Sequence, residues 1–366
     1  MRKVVLILMS LLLLTGVAFT ACAKPAAPPE GAPPTAPAEK PAAPPPKEGV
    51  IQCICTSGGA FYPEFAEGFF ITPYIEYLMG HIELCPALKG KFELKLYPAA
   101  QLYNQNDAQT ALAAGSIQLT YGGPHFYEQW NPAWKLLEAP GLIYSWEHFL
   151  RVMETEPYKE LQKDLAGKGI TILNWAGQAG NVYIFTTKRC EKISDLKGLK
   201  IRYFGGEGQA KAINALGAQG IFLPYTEVVT ALQTHQIDGV ITDVTGGAFF
   251  YELYRYCPNM MPYVLCVQPV CNAVNTKWYE SLPSNKEPFN PGIRESFDRV
   301  FQGIRTDYYY NGLEDWAMGA WQGMGCYVAK YDAAEDQKLK DLMLKAQESM
   351  FAGLDPKYMK AIESVR

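Results

Sequence analysis

Apolar positions along this chain fall into short runs and helical stripes that alternate over most of its length. Residues 50–55 form an apolar run closed by Thr56-Ser57-Gly58-Gly59, the pattern of a buried strand feeding a loop. Residues 70–85 space their apolar side chains as a helix does, and 91–97 alternate as a strand ended by Pro98. Residues 106–114 return to helical spacing, Gly115 breaks it, and 117–121 read as a strand ended by Gly122-Gly123-Pro124. Such alternation predicts a mostly parallel sheet carrying helices.

The unit recurs. Residues 220–223 are a strand closed by Pro224, 227–234 a helix, and 239–242 a strand leading to Gly246-Gly247. Thr110-Ala111-Leu112 aligns with Thr230-Ala231-Leu232, and the same offset of 120 places Ile117 opposite Ile237. Two lobes of similar build, with a cleft facing the carboxyl ends of their strands, account for this repetition. Residues 170–175 and 183–187 read as strands near the crossing between lobes, joined by a loop over 176–181. Phe297, Val300, Phe301, Ile304 and Tyr308 recur at three and four residues, as on a long bracing helix, and 332–350 form an amphipathic helix of mixed charge, an outer cover.

The amino terminus fixes the compartment. Met1-Arg2-Lys3, an apolar run from Val4 to Phe19 and then Thr20-Ala21-Cys22 make an export signal, shorter than the ~20 residues that span a bilayer. Small residues before a lone cysteine fit a bacterial lipoprotein signal over 1–22 with Cys22 acylated, although Phe19 departs from the usual aliphatic residue. Ala21-Cys22-Ala23 also fits an ordinary cleavage site that leaves Lys24 first. Residues 23–49 hold ten prolines and no apolar periodicity, an extended Ala/Pro-rich tether, which favours the lipoprotein alternative.

Composition removes several function classes. The 366 residues are 48% hydrophobic and 19% charged with a net charge of −4, so disorder is excluded and nucleic acid is not an expected partner. Apart from Cys22, eight cysteines (53, 55, 85, 190, 257, 266, 271 and 326) permit either disulfides or buried thiols, and their spacing matches no zinc knuckle. No metal and no cofactor is expected. His81, His125, His148 and His235 are scattered, and neither a Gly-x-Ser-x-Gly elbow nor a His-Glu-x-x-His pair is present, so an enzyme is not expected.

The segment richest in chemistry runs from Asp195-Leu196-Lys197-Gly198-Leu199-Lys200-Ile201-Arg202 through Tyr203-Phe204-Gly205-Gly206-Glu207-Gly208. A strand ending in arginine precedes glycines and a helix opening near Gln209. Amide groups at a helix start and a planar guanidinium both favour a carboxylate, so the pattern is that of an anion site. It is no nucleotide fingerprint, because Lys211 stands where the third glycine belongs and Glu207 repels a pyrophosphate.

This segment, with Leu216-Gly217-Ala218, Leu223-Pro224-Tyr225-Thr226-Glu227-Val228, Ala231-Leu232-Gln233 and Ile237-Asp238-Gly239, resembles the substrate-binding component of tripartite ATP-independent periplasmic (TRAP) transporters, the DctP family. The likeness extends upstream through Gln101-Leu102 and Ala114-Gly115-Ser116-Ile117 and downstream through Trp278 and Leu282-Pro283. The resemblance implies an α/β fold of type II periplasmic-binding-protein-like architecture, with two α/β lobes, a central cleft and a long bracing C-terminal helix. The expected lobes are 50–178 plus 266–305, and 179–265 plus 306–366. It also implies a small organic acid held in the cleft, TRAP small and large membrane subunits as partners, and an extracytoplasmic location with lipid attachment at Cys22.

By the resemblance Arg202 grips the substrate carboxylate, and Thr242 stands where relatives carry an amide. Asn181-Val182-Tyr183 replaces a second arginine, which counts against dicarboxylates, and His235 replaces a turn glycine. Phe204, Tyr121, Phe61 and Trp175, with Asp243 and Asn181, complete the expected site, and their aromatic character favours a monocarboxylate. A ligand-sensing partner of a membrane receptor would use the same cleft.

Overall fold

The computed structural model describes residues 49–56, 79–97, 101–245, 247–248, 252–288, 290–302 and 306–366. These described residues belong to one compact unit. In chain order the elements are β1 (Ile51–Thr56), β2 (Phe92–Tyr97), α1 (Gln105–Ala114), β3 (Leu119–Gly122), α2 (Trp146–Met153), α3 (Glu156–Gly167) and β4 (Ile170–Thr186). There follow β5 (Lys200–Tyr203), α4 (Glu207–Ala215), β6 (Gln219–Phe222), α5 (Val228–Gln233), β7 (Gly239–Asp243), α6 (Leu253–Tyr256) and β8 (Asn259–Asn275). The chain ends with α7 (Thr276–Ser281), α8 (Ile293–Gln302), α9 (Thr306–Gly323), β9 (Tyr327–Val328), α10 (Ala333–Met350) and α11 (Pro356–Ser364). Two 3₁₀ segments, Pro124–Tyr127 and Pro132–Glu138, follow β3.

Among the described residues nine strands form one hydrogen-bonded sheet in the order β2-β1-β3-β8-β4-β7-β5-β6, with β9 beside β8. The parallel ladders β2/β1/β3 and β6/β5/β7 lie at its two ends. The antiparallel pair β4/β8 joins them, so the ladder is continuous instead of being two separate sheets. The repeat at offset 120 corresponds to α1–β3 and α5–β7, one unit at each end.

Residues 176–181, expected as a loop, belong to the 17-residue β4. Gly177 and Gly180 gave the loop signal, yet the segment pairs with β8 through four register shifts, between Ile172 and Asn174, Trp175 and Gly177, Gln178 and Asn181, and Val182 and Ile184. Bulges of this kind are where a strand tolerates glycine.

Local chemistry explains the element ends. Asn104 accepts the Asp107 N–H at 2.9 Å to start α1, and Gly115, at φ 81°, ends it in the left-handed conformation that only glycine adopts without strain. Asp332 accepts the Ala334 N–H at 2.8 Å to start α10. That helix is more than an outer cover, since Leu339, Met343 and Ala346 enter the main core with α4 residues Ala212 and Ile213. A second core joins Phe185, Val240, Leu232 and Trp321, and a third joins Cys53, Phe92, Phe297 and Phe301. The expected bracing helix is present as α8 and α9, both packed on β4.

All eight described cysteines are free thiols, and only Cys85 is less than fully buried. Buried thiols, the alternative to disulfides, are what the fold contains. Among the described residues no helix is long and apolar enough to cross a membrane.

Candidate functional site

Arg202 is the third residue of β5, flanked by Ile221 on β6 and Val240 on β7. It is 2% exposed. Burying a guanidinium is costly unless polar groups receive it, so its orientation is informative. Nε donates to the Leu223 carbonyl at 3.1 Å, and the guanidinium carbon lies 5.7 Å from the centre of the Phe204 ring. Both partners sit just beyond strand ends, which sets the guanidinium at the carboxyl side of the β6/β5/β7 ladder.

The turn from β5 to α4 is closed by Gln209, whose Oε1 accepts the N–H groups of Gly205 at 2.7 Å and Phe204 at 3.3 Å. The start of α4 was expected to receive an anion. In the structure the protein's own Glu128 carboxylate lies there, so close that a Cβ on Gly206 would collide with it. Burial pushes Glu128 up to about 7, with Glu138 and Glu207 adding to the shift and His125 and Lys135 opposing it. Glu207 itself pairs with Lys211 at 2.8 Å and approaches Lys135 at 3.9 Å.

Thr242 lies two residues past Val240, on the face of the sheet that Arg202 shares, and is 4% exposed. Its cross-strand partner is Tyr183, whose hydroxyl donates to Glu314 at 2.6 Å. Burial first, and Glu314 second, hold that phenol well above its ordinary range. Asn181 donates its side-chain amide to the same carboxylate at 3.1 Å, so this residue is engaged by α9. Asp243 is buried and accepts the Gly247 N–H at 3.1 Å and the Thr245 hydroxyl at 2.7 Å, which folds the turn after β7.

Tyr121 stands on β3 of the other ladder and Trp175 on the joining strand β4, paired with the β8 neighbours Asn272 and Cys271. Tyr121 packs on Ala176 and Val270. The Trp175 ring meets Phe149 edge-on at 4.8 Å and Trp134 at 6.3 Å, and its indole N–H is buried without a protein acceptor. Phe61 lies outside the described residues, as does Cys22. Thus Arg202, Phe204 and Thr242 come together at one ladder, Tyr121 lies on the other and Trp175 on the β4/β8 pair between them, while Asn181 and Asp243 serve internal contacts.

The contact between the two groups was not legible in the sequence. His125, three residues past β3, places its ring edge-on to Phe204 at 5.7 Å. Its Nδ1 lies 2.7 Å from the Glu138 carboxylate, which also accepts its backbone N–H at 2.9 Å. A spacing of 13 residues across two 3₁₀ turns carries no periodic signal; only Gly122-Gly123-Pro124 marked the place as a strand end.

A cavity of about 900 Å³ lined by His81, Cys85, Lys91, Ile293 and Arg299 shares no residue with this site. Among the described residues no group of three or more His, Cys, Asp or Glu side chains converges to hold a metal ion.

The sequence profile described as bacterial extracellular solute-binding protein, family 7 (DctP), matches residues 83–289, more than half of the chain. The 2,3-diketo-L-gulonate-binding periplasmic protein YiaO of Escherichia coli (strain K12) is 28% identical over 271 residues, 74% of each chain. The chain spans about half the length of the next relatives it matches, 52% and 57%. A TRAP periplasmic solute binding protein from Shewanella oneidensis, solved with bound succinate, superposes with a TM-score of 0.74 at 17% identity, covering 86% of this chain and 99% of its own. DctP7 of Bordetella pertussis, an extracytoplasmic solute receptor binding pyroglutamic acid, gives 0.75 at 15% identity over 87% and 100%. The shared fold is type II periplasmic-binding-protein-like. By its sequence this chain belongs to family 7 of the bacterial extracellular solute-binding proteins, the DctP family of TRAP-transporter substrate-binding components.

Proposed function

We propose that this protein captures a small organic acid, preferably a monocarboxylate, with the carboxylate on Arg202, and delivers it unaltered to the TRAP small and large membrane subunits. The observation that carries this reading is a guanidinium buried at the carboxyl end of parallel strands, oriented by Leu223 and lying beside Phe204. Thr242 offers a hydroxyl on the same face, and Tyr121 from the opposite ladder and Trp175 from β4 supply aromatic surface. The relatives' acids, 2,3-diketo-L-gulonate, succinate and pyroglutamic acid, are consistent with one carboxylate anchor and a variable remainder.

The lobes, 50–178 plus 266–305 and 179–265 plus 306–366, close on the acid by bending at the register shifts of β4 and β8. A lipid on Cys22 and the tether over 23–49 keep the body near its membrane partners. Intact mass of membrane-extracted protein tests the anchor: a terminus at Lys24 without acyl mass removes it.

The site is tested by a thermal-shift screen of mono- and dicarboxylates followed by calorimetry, because a ligand that binds only the folded state raises the melting temperature. Arg202→Ala leaves a desolvated carboxylate unpaired and is expected to cost about 2–5 kcal/mol of binding. Arg202→Lys, charged but not two-pronged, recovers only part. Near-normal affinity in a folded Arg202→Ala variant places the anion elsewhere.

A further inference from the structure

We propose that Glu128, seated on Gly206, is a clasp that holds the two lobes together over the solute and loosens in alkaline medium. This deepens, and rests on, the reading in which the lobes close on an organic acid.

The contacts join the segment after β3, in one lobe, to the start of α4, in the other. The Glu128 carboxyl occupies the space in which a Cβ on Gly206 would stand. Lys135 approaches Glu207 at 3.9 Å, the His125 ring meets Phe204 edge-on at 5.7 Å, and the 3₁₀ segment Pro132–Glu138 packs on α4. The ion pair adds little, because the Glu207 side chain is 61% exposed. Glu128 is different, since it requires a particular residue opposite. Gly206 has φ −78° and ψ −166°, extended backbone that any residue adopts, so the carboxyl and not the turn demands glycine at this position.

The seat suits a protonated carboxyl. No described residue donates a hydrogen bond to Glu128, and burial is the largest influence on it, raising it to about 7. Among the groups that face it, His125 and Lys135 favour the ionised form, whereas Glu138 and Glu207 oppose it, with Lys211 pairing Glu207 at 2.8 Å. Separating the lobes would release the carboxyl into water and return it towards the ordinary 4.5. Between 4.5 and about 7 the closed form therefore keeps a proton that the open form gives up, so acid favours closure. Above about 7 both forms are ionised, and the closed form alone bears the cost of desolvation. Solute affinity follows the closed fraction.

The test is small-angle scattering of the solute-free mature chain at pH 6 and pH 8. Wild type should be the more compact at pH 6. Glu128→Gln, uncharged and of the same shape, should be compact at both. Gly206→Ala, whose methyl group unseats the carboxyl, should be as extended at pH 6 as wild type is at pH 8. Calorimetry with pyroglutamate, galacturonate and hexanoate, each a single carboxylate ionised at both pH values, should show several-fold weaker binding at pH 8 than at pH 6. One linked proton allows about tenfold at most. Glu128→Gln should lose this dependence, and because His125, Lys135, Glu138 and Glu207 are common to both proteins, the difference belongs to Glu128. Should Gly206→Ala fail to fold, the glutamine variant decides.

A particle size that ignores pH, or that changes equally in the Glu128→Gln protein, overturns the clasp and leaves Arg202 untouched. Absence of binding of all three acids, or binding that survives Arg202→Ala, overturns the anchor reading, and the scattering series then decides the clasp alone.

Discussion

Replacing Glu128 with glutamine removes a carboxyl that the fold holds at a cost. Its titration lies near 7 where an unperturbed glutamate has 4.5, with burial the largest cause. The adjacent start of α4 favours an anion by about 0.3–1 kcal/mol, which desolvation outweighs. Below pH 4.5 the group is protonated in both folded and unfolded chains and contributes nothing. Between 4.5 and about 7 the unfolded chain ionises first, so the native state holds more protons and stability falls as pH rises. Above 7 the penalty is complete. The displacement corresponds to at most about 3 kcal/mol, and the carboxyl's partial contact with water reduces it to about 1–2 kcal/mol.

Glu128→Gln is therefore expected to raise the melting temperature at pH 8 by a few degrees, leave it unchanged at pH 4, and flatten the slope between pH 5 and 8. Calorimetric unfolding of both proteins across that range, without ligand, is the measurement. His125, Glu138, Lys135 and Glu207 surround the group and are common to both proteins, so the difference between the curves isolates Glu128. Parallel curves, or a variant less stable at pH 8, would refute the reasoning, because they would mean that Lys135 and His125 make the ionised carboxylate favourable in the fold.

His235 adopts φ 57° in the turn before β7, a left-handed conformation that strains a residue with a Cβ. His235→Gly should stabilise the protein by up to about 1 kcal/mol, read as a denaturant midpoint shift at constant slope; a loss of stability would show that the side chain supports the turn. Burial pushes the Cys55 and Cys271 thiols up to about 12, so the native protein should react slowly with a maleimide at pH 7.5, with Cys85 first. Residues 24–366 should show eight thiols after unfolding without reductant; fewer would reveal disulfides.

The sequence by itself determined what depends on neighbours along the chain. Strand ends at Gly122-Gly123 and Pro224, the Gly115 helix stop, the repeated unit at offset 120 and the Asp195 to Arg202 motif each follow from local propensity and spacing; β5 runs one residue beyond the expected end at Arg202, to Tyr203, with Phe204 next. Only the tertiary structure decided what depends on residues brought together from far apart. The glycines of 176–181 stay in a strand because β8, about ninety residues later, supplies their ladder. Leu339 and Met343 turn α10 inward because α4 offers an apolar face. Seven of the eight thiols are buried because the cores enclose them, Cys53 and Cys55 in one, Cys190, Cys266 and Cys271 in another, and Cys257 and Cys326 in the third. The pairing of His125 with Glu138, and the approach of Glu128 to the start of α4, arise where separate elements meet. No local pattern encodes them, since their energy comes from desolvation and charge at a junction that exists only once the chain has folded.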